Sequence, residues 1–382
     1  MENKVIICDL DLLKKLTEDC LIAVDTLADR LQLKGWKNDN FDLAQIFQMN
    51  NADILFDSAI LGALISGCSF IYISEDEMGF PRLEVIDGAN ATGVIDPMTN
   101  LLKEGYAVLE RDKFGKPVRE AYFEPGLTTF YETGQKPYSV SNNSSAPLLV
   151  PILYRPDSKR PFSHSRISRA MMAITDGAVR TTKRAELSAE FYSYPQKYVL
   201  GTDTDSEGMD KWKSAISMLL EITKDADGDK PTVGQFSQQS MKPHIDHIRS
   251  YAALFSGESG LTMDDLGFVS DNPSSAEAIK ASHESLRVLA EKAQRTFGSC
   301  FLNVGYIAAC LRDNFPYKRR QLYLTEPQWY PAFKPDAAML SGIGDGAIKL
   351  NQAVPGYFNK DNLTDLTGID PSEMEPVTNA EG

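Results

Sequence analysis

The sequence predicts an α+β protein, because helical and strand-like patterns occupy separate stretches of the chain. Before Ser66 and after Arg160, apolar residues recur at three- and four-residue spacing, the period of an amphipathic helix. Between Phe70 and Thr133, short runs of alternating polarity are separated by Gly, Pro, Asn and Asp, as antiparallel hairpins require. With 382 residues, of which 42% are hydrophobic, the chain can bury a substantial core in two or three domains or one elongated subunit.

Two helices are predicted ahead of the strands, over Asp9–Leu33 and Asp42–Ser66. The predicted strands are Phe70–Ser74, Pro81–Asp87, Ala91–Asp96, Tyr106–Asp112, Arg119–Pro125 and Leu127–Thr133. Ser139–Pro147 is predicted to be a polar loop, after which the segment VPILYRP closes the sheet. The apolar stretch Ala59–Ile73 is too short to span a bilayer and is interpreted as a buried helix that runs into a strand.

The middle of the chain is predicted to be helical with one polar insert. A helix begins after Arg160, with Ser163 or Ser165 as its cap, and ends at Pro195. The elements predicted after it are a strand at Gln196–Gly201, a helix from Ser206 to about Lys224, a polar insert at Asp225–Gln239 and a helix at Lys242–Phe255. That last helix is predicted to end at Gly257, where a loop rich in Gly, Asp and Ser begins.

The longest predicted helix runs from Asn272 to about Leu311. Asn272-Pro273 opens it, and Ser274 or Ser275 caps its first turn. Its apolar stripe is Ile279, Leu286, Ala290, Ala293, Phe297, Phe301, Val304, Ala308 and Leu311. On the polar face, Glu291 and Arg295 have the spacing of an ion pair. A final helix near Pro335–Gln352 contains three glycines, and a polar, acidic end without predicted structure follows it.

Charge and cysteine content exclude several classes of protein. A net charge of −14 argues against a surface that reads nucleic-acid sequence, although DNA could slide past such a surface without sticking. The five cysteines form no C-x-x-C pair and are expected to be free thiols in a reducing compartment. The first ten residues do not have the pattern of a signal peptide.

Few residues have the spacing of a chemical site. The acidic run Asp225–Asp229 lacks the glycine and glutamate positions of a calcium loop and is interpreted as a solvated turn. His244 and His247 lie three residues apart, a weak pattern for zinc. Neither a phosphate-binding P-loop nor a hydrolase, metalloprotease or kinase motif is present, so we expect no catalytic residue, no metal site, no cofactor and no enzymatic activity.

Several motifs, in order along most of the chain, resemble those of one family. They are Asp29-Arg30-Leu31 with Gly35-Trp36, Asn50-Asn51-Ala52-Asp53, Gly67, Pro81-Arg82, Asp96-Pro97-Met98-Thr99, Asp176–Thr181, Pro195–Gly201, Gly260-Leu261, Leu266-Gly267 and Asn272–Ala278. In this pattern and order the chain resembles the portal proteins of tailed bacteriophages, of the kind related to a Bacillus-phage portal. Thr262 stands where that family usually has proline.

The resemblance implies an arrangement of named portal parts. A mixed α/β wing would cover residues 1–204, and the stem helices residues 205–260, with a small clip at about 225–239. The channel loop and long wing helix would cover residues 261–330, and a helical crown with a flexible tail residues 331–382. Family members carry more residues before the first shared helix, so an outer wing element is expected to be missing.

The resemblance also implies a function. Portal subunits form a ring, expected to be a dodecamer, at one capsid vertex, through which double-stranded DNA is packaged and ejected without sequence specificity. The implied partners are other copies of the chain, the terminase large subunit, a head-tail adaptor, and the major capsid and scaffolding proteins, with no membrane. The implied location is the virion, and the host cytoplasm during assembly.

Two sets of residues are the candidate sites. The expected channel-loop residues are Glu258, Leu261, Met263, Asp264, Asp265, Phe268 and Asp271. The loop Ser256–Asn272 has four acids and no Lys or Arg, which suits a lining past which phosphates must slide. The expected clip residues for terminase or adaptor contact are Asp227, Asp229, Lys230, Gln235 and Phe236.

Two alternatives remain open at the level of sequence. Adjacent carboxylates at Asp264 and Asp265 could serve a metal-dependent nuclease, whose activity would require magnesium and these acids. A structural adaptor derived from a prophage, which forms no ring, is the other alternative and would be monomeric in solution.

Overall fold

A computed structural model describes residues 21–193, 197–200, 232–235, 240–268, 281–333, 335 and 337–369. These residues form both helices and antiparallel sheets, which confirms the α+β class. They fall into two compact units: unit A contains the described residues of 20–168 and 274–382, and unit B those of 169–273.

The helices are α1 (residues 21–28), α2 (Leu43–Gln48), α3 (Ala52–Ser66), α4 (Arg169–Ser193), α5 (Lys242–Ser259), α6 (Glu284–Arg312), α7 (Ala337–Ala353) and α8 (Lys360–Thr367). The first six strands are β1 (Leu33–Lys37), β2 (Cys68–Glu75), β3 (Pro81–Asp87), β4 (Ala91–Ile95), β5 (Leu102–Arg111) and β6 (Pro117–Glu124). The others are β7 (Leu127–Glu132), β8 (Tyr138–Ser141), β9 (Leu149–Leu153), β10 (Lys197–Leu200), β11 (Thr232–Gln235) and β12 (Glu326–Trp329).

The described residues of unit A form three sheets: β1 pairs with β12, and the stretch for which the sequence predicted one sheet is divided between two others. Strands β4 to β8 form a meander in chain order, whereas β9 returns to pair with β2 in a separate sheet of order β3-β2-β9. Strand β8 lies partly in the segment predicted to be a polar loop, so that prediction was wrong. Cross-strand pairs stabilise β8 despite its polarity: Ser139 bonds Thr129 between hydroxyls at 2.9 Å, and Tyr138 stacks on Phe130 at 5.2 Å.

Helix α6 is the core of unit A. Its predicted apolar stripe is confirmed from Leu286 to Leu311, but every residue from Cys300 to Leu311 is buried, on all sides of the helix. The reason is that α2, β2, β9 and β12 all pack against it. Phe301 meets Phe56 edge-on with ring centroids 4.7 Å apart, and Phe56 contacts Phe47 at 5.0 Å.

The start of α6 differs from the core segment. Near its start, Arg287 forms ion pairs with Glu284 at 2.6 Å and with Glu291 at 2.5 Å, so Glu291 is paired with Arg287 and not with Arg295 as predicted. The predicted opening of the helix at Asn272–Ser275 lies outside the described residues.

The predicted helix over Asp42–Ser66 is broken into α2 and α3 at Asn50 and Asn51. Asn51 has a φ of 53°, a left-handed conformation that asparagine tolerates better than most residues and that ends a helix. The side-chain nitrogen of Asn50 donates to the backbone carbonyls of Ile46 and Pro81, at 2.8 and 3.0 Å. Its side-chain oxygen accepts from the backbone amide of Leu83 at 3.0 Å. This break therefore attaches the end of α2 to strand β3.

Two other predicted helix boundaries were wrong. Helix α1 ends at residue 28, and Leu33, predicted to be helical, begins β1, which pairs with β12. Ser163 and Ser165 do not cap α4, which begins at Arg169. The Ser163 hydroxyl accepts from the Arg155 amide at 2.6 Å, and the Ser165 hydroxyl from the Ile167 amide at 2.9 Å. Their hydroxyls shape the turn ahead of the helix.

The C-terminal part contains one more helix than predicted. Helix α7 agrees with the prediction to within two residues. Helix α8 is capped at its start by Asn359, whose side chain accepts from the Asn362 amide at 2.8 Å. Gly368, with a φ of 69°, caps its end. Residues 370–382 lie outside the described part.

Cys300 and Cys310 are buried thiols, as predicted, and burial raises the pKa of each to about 11, which keeps both protonated at neutral pH. Cys8 and Cys20 lie outside the described residues. Within the described part of the chain, every helix is too short or too polar to cross a bilayer.

Glycines in α6 and α7 provide a matched test of this core. A Cβ at Gly298 would lie 2.6 Å from Cγ of Pro327, whereas a Cβ at Gly344 would have no atom within 4 Å. We expect Gly298→Ala to lower the free energy of unfolding by about 1–3 kcal/mol through overpacking. Gly344→Ala should raise it by up to about 1 kcal/mol, because alanine favours the helix. Urea unfolding measures both, and equal effects of the two substitutions would contradict the packing of α6 against β12.

Candidate functional site

The candidate channel loop lies in unit B, where it follows α5. Helix α5 packs against α4, and the two helices are close at Gly177, where a Cβ would lie 2.7 Å from the ring of Tyr251. The His247 ring stacks on Tyr251 with centroids 4.7 Å apart, so this histidine takes part in packing. Within unit B, the described helix that packs against α5 is therefore α4. The sequence had assigned α4 to the wing and α5 to the stem.

The helix that was expected to pair with α5, Ser206 to about Lys224, lies outside the described residues. The division at residue 204 also differs from the observed one, in which unit B begins at Arg169. The assignment of wing, stem, clip and crown thus remains a prediction.

Helix α5 ends later than predicted. Gly257 is helical, and the helix continues to Ser259. Gly260 then takes a φ of 74°, and its amide donates to the carbonyl of Ser256 at 2.9 Å, which terminates the helix in the left-handed conformation that glycine permits. Glu258, expected in the loop, therefore lies in the last turn of α5.

Residues 261–268 form a hydrogen-bonded turn. The Asp265 carboxylate accepts from both the amide and the hydroxyl of Thr262 at 2.8 Å, and the Asp265 amide donates to the Thr262 hydroxyl at 3.1 Å. The amides of Gly267 and Phe268 donate to the carbonyls of Asp264 and Met263 at 3.0 Å. These bonds give the segment a defined shape.

The loop side chains do not all face solvent. Leu261 is only 4% exposed, so it anchors the loop within its own subunit, whereas Asp264 is exposed. Met263, Asp265, Leu266 and Phe268 are half-buried. Asp271 lies outside the described residues. The described loop therefore presents the Asp264 carboxylate to solvent.

The turn also bears on the nuclease alternative. Two carboxylates that share a metal ion must point at a common position, but Asp265 is directed at Thr262 of its own turn while Asp264 is exposed. Among the described residues, no group of three or more His, Cys, Asp or Glu side chains is placed to hold a metal ion. The geometry favours a structural role for Asp265.

The described part of the candidate clip is strand β11, which pairs with β10, a strand that lies outside the insert. Strands β10 and β11 pair antiparallel from Lys197 opposite Gln235 to Leu200 opposite Thr232. The predicted polar insert at Asp225–Gln239 thus contains a strand. Gln235 is the last residue of that strand, and the other expected clip residues, Asp227, Asp229, Lys230 and Phe236, lie outside the described residues.

Thr262 was missing from the candidate residues, although a signal for it exists in the sequence. Thr262-Met-Asp-Asp265 has the threonine-to-acid spacing of a capping box, in which a hydroxyl and a carboxylate satisfy nearby backbone amides. The same spacing identifies Asp265, and not Asp264, as the acid that bonds Thr262.

The turn predicts different effects for the two aspartates. Asp265→Ala removes the acceptor of two hydrogen bonds, each worth about 1–2 kcal/mol, and should increase amide hydrogen exchange at Thr262 about tenfold or more. Asp264→Ala removes an exposed carboxylate and should leave exchange unchanged. Exchange followed by mass spectrometry would show the difference, and equal exchange in both variants would contradict this turn.

Comparisons with known proteins give a consistent relationship. The chain is 25% identical to the portal protein of Mycobacterium phage L5 over 362 residues, which cover 87% of this chain and 74% of that protein. It is 24% identical to the portal protein of Mycobacterium phage D29 over 370 residues, with the same coverage of both chains. No protein-family model matches the chain.

Among solved structures, the chain is similar to one from the neck of an empty gene transfer agent particle, with 14% identity, a TM-score of 0.48, and coverage of 92% of this chain and 89% of that one. A chain from the virion of the native particle has 15% identity, a TM-score of 0.45 and coverage of 92% and 88%. Because these scores are low, the relationship rests on sequence similarity. The resemblance carried by the motifs is thereby confirmed: over 87% of its length, this chain is similar to the portal proteins of tailed bacteriophages.

Proposed function

We propose that this chain is the subunit of a portal ring, located in the virion at the portal vertex of the capsid. The observation that carries the proposal is the similarity to two phage portal proteins along 87% of the chain. In this role the protein performs no chemistry. It provides a closed path for double-stranded DNA during packaging and ejection, and a surface on which the terminase large subunit and a head-tail adaptor dock.

The loop after α5 supports a channel role. A DNA path needs weak contact with phosphates, because each Lys or Arg that neutralises a phosphate adds affinity that would slow the strand. Residues 256–268 contain Glu258, Asp264 and Asp265 and no basic residue. The Thr262–Asp265 bonds hold the turn in shape, so that Asp264 is presented at the exposed position.

Exposed apolar residues of unit A support assembly of several copies. On α3, Ile54, Leu61 and Ile65 lie on one helical face and are 70%, 38% and 39% exposed. On α7 the only buried residue is Ala347, whereas Met339, Ile348 and Leu350 are exposed. Apolar faces of this kind are usually covered in an oligomer. A ring whose subunits contact each other head to tail would cover them, since such contacts close by rotation.

The remaining portal parts follow from the same proposal. The insert at about 225–239 would be the clip, with β10 and β11 at its base, and would contact terminase or adaptor. The wing would contact the major capsid and scaffolding proteins. Double-stranded DNA would pass without sequence readout, in keeping with the net charge of −14.

Ring formation is the direct test. The purified chain should form rings with a central hole in negative-stain images. Ile54→Asp with Leu61→Asp should shift the protein toward monomer in light scattering, because both place a charge on an exposed apolar face. Met78→Asp with Phe114→Asp, at exposed turn positions, is the matched control and should leave rings intact. A wild-type monomer at every salt and protein concentration would overturn the proposal.

The channel role has its own test. Asp264→Lys puts a cation on the loop without removing the Asp265 bonds, so rings should form normally while DNA is retained more tightly at low salt and packaged more slowly. The retention should fall steeply as salt rises, because counterion release drives it. Glu77→Lys makes the same charge change in the exposed β2–β3 turn of unit A and should package DNA normally. Normal packaging by Asp264→Lys, without salt-sensitive retention, would remove this loop from the DNA path.

A further inference from the structure

Unit A contains a basic cleft that the proposed function does not use. The cleft has a volume of about 1070 Å³ and lies between α6, the β4–β5 turn and the segment that follows β9. This volume exceeds that of most small-ligand sites, which hold about 300–1,000 Å³. It is large enough to take several side chains of a partner.

The charge of the cleft is opposite to that of the chain. Its described lining includes five cations, Lys103, Arg155, Lys292, Arg295 and Arg319, and one carboxylate, Asp96. The Asp96 carboxylate lies 3.9 Å from the Lys103 ammonium and so offsets that cation. In a protein with a net charge of −14, four further cations around one cleft are a local positive site for an anionic partner.

Helix α6 sets the spacing of the cations. Lys292, Arg295 and Ser299 recur at three and four residues, so they lie on one exposed face of the helix. Farther along the same face, Asn303 accepts from Nε of Arg319 at 2.8 Å. The Arg319 guanidinium is thereby oriented by a neutral amide, which leaves its charge for a ligand. The helix rises by roughly 16 Å from Lys292 to Asn303, the residue that contacts Arg319, so the cations are spread along that length.

The walls between these cations are largely apolar. Met98, Leu101, Pro125, Leu153 and Pro156 contribute to them, and Tyr306 is the only aromatic residue of the described lining. The Tyr306 hydroxyl donates to the carbonyl of Tyr317 at 2.8 Å and lies 2.6 Å from the Ser145 hydroxyl. The cleft thus combines apolar walls with basic groups at its edge.

We propose that this cleft binds an acidic peptide segment of a partner protein, with carboxylates on Lys292, Arg295, Arg155 and Arg319 and apolar side chains between them. Duplex DNA would contact the cations through phosphates but would leave the apolar walls unused. Single-stranded nucleic acid would need aromatic surfaces on which to stack its bases, and the described lining offers one. An acidic peptide with interspersed apolar residues complements both features. This site is separate from the channel loop and does not depend on ring formation.

The experiment measures binding of a fluorescent synthetic peptide with a repeated Glu-Glu-Leu sequence to the full chain at low salt, by fluorescence anisotropy. Lys292→Glu with Arg295→Glu should weaken binding roughly tenfold or more, since two attractive ion pairs are lost and two repulsive contacts replace them. Ser299→Trp fills the cleft without changing its charge and should also weaken binding. The matched control, Lys113→Glu with Lys136→Glu, makes the same charge change at exposed turns of the β5–β8 meander and should bind normally.

Competitors separate this proposal from general attraction of anions. Oligoglutamate of equal length and a short DNA duplex should compete much less well than the unlabelled peptide, because neither uses the apolar walls. Equal competition by oligoglutamate or DNA would overturn the proposal in favour of a simple polyanion site. The absence of peptide binding to the wild type, or equal weakening by the control pair, would overturn it as well.

Discussion

The fold of unit A depends on the burial of one helix from all sides. From Cys300 to Leu311, α6 has no exposed residue, and α2, β2, β9 and β12 all pack against the helix. Such a helix cannot be stable alone in water, so its packing and the pairing of the strands around it form together. The small residues along it, including Gly298, Gly305 and Ala308, permit this close approach: a Cβ at Gly305 would lie 2.9 Å from Leu43. The basic cleft lies along the same helix, whose backbone sets the spacing of Lys292 and Arg295.

Several motif residues that connect this chain to phage portal proteins perform structural tasks. Asn50 joins the end of α2 to β3, and Trp36 stacks on Phe47 at 5.4 Å. Asp96 accepts from the Thr99 hydroxyl at 2.9 Å in the β4–β5 turn. Gly67 has a φ of 93°, and a Cβ there would lie 3.0 Å from the backbone of His164. These residues shape turns and close contacts within unit A.

The two surfaces for which we propose partners, the loop after α5 and the basic cleft, differ in the sign of their local charge. Residues 261–268 after α5 include two acids and no Lys or Arg, so a phosphate backbone that meets them gains no counterion release. The cleft of unit A has an excess of cations and apolar walls. Electrostatic attraction acts over about 10 Å at moderate salt. The residues near a surface therefore decide which ligand it attracts, and the net charge of the whole chain predicts the behaviour of neither surface.

The sequence by itself determined the types of helices α1 to α7 and of strands β2 to β7, since periods of two and of three to four residues are local properties. It did not determine β1, β8, β11 or β12, which are short or polar strands held by their pairing partners. Strand β3 and the stripe of α6 agree with the pattern, and the motif order predicted the relationship to portal proteins. Only the tertiary structure decided that β9 leaves the meander to pair with β2, because strand pairing is a choice between distant segments. It also decided that the Asn50 side chain binds β3 and breaks a predicted helix, and that two adjacent aspartates have different tasks. The cleft depends on Lys103, Arg155, Lys292 and Arg319, which are far apart in the chain, so no local pattern could have predicted it.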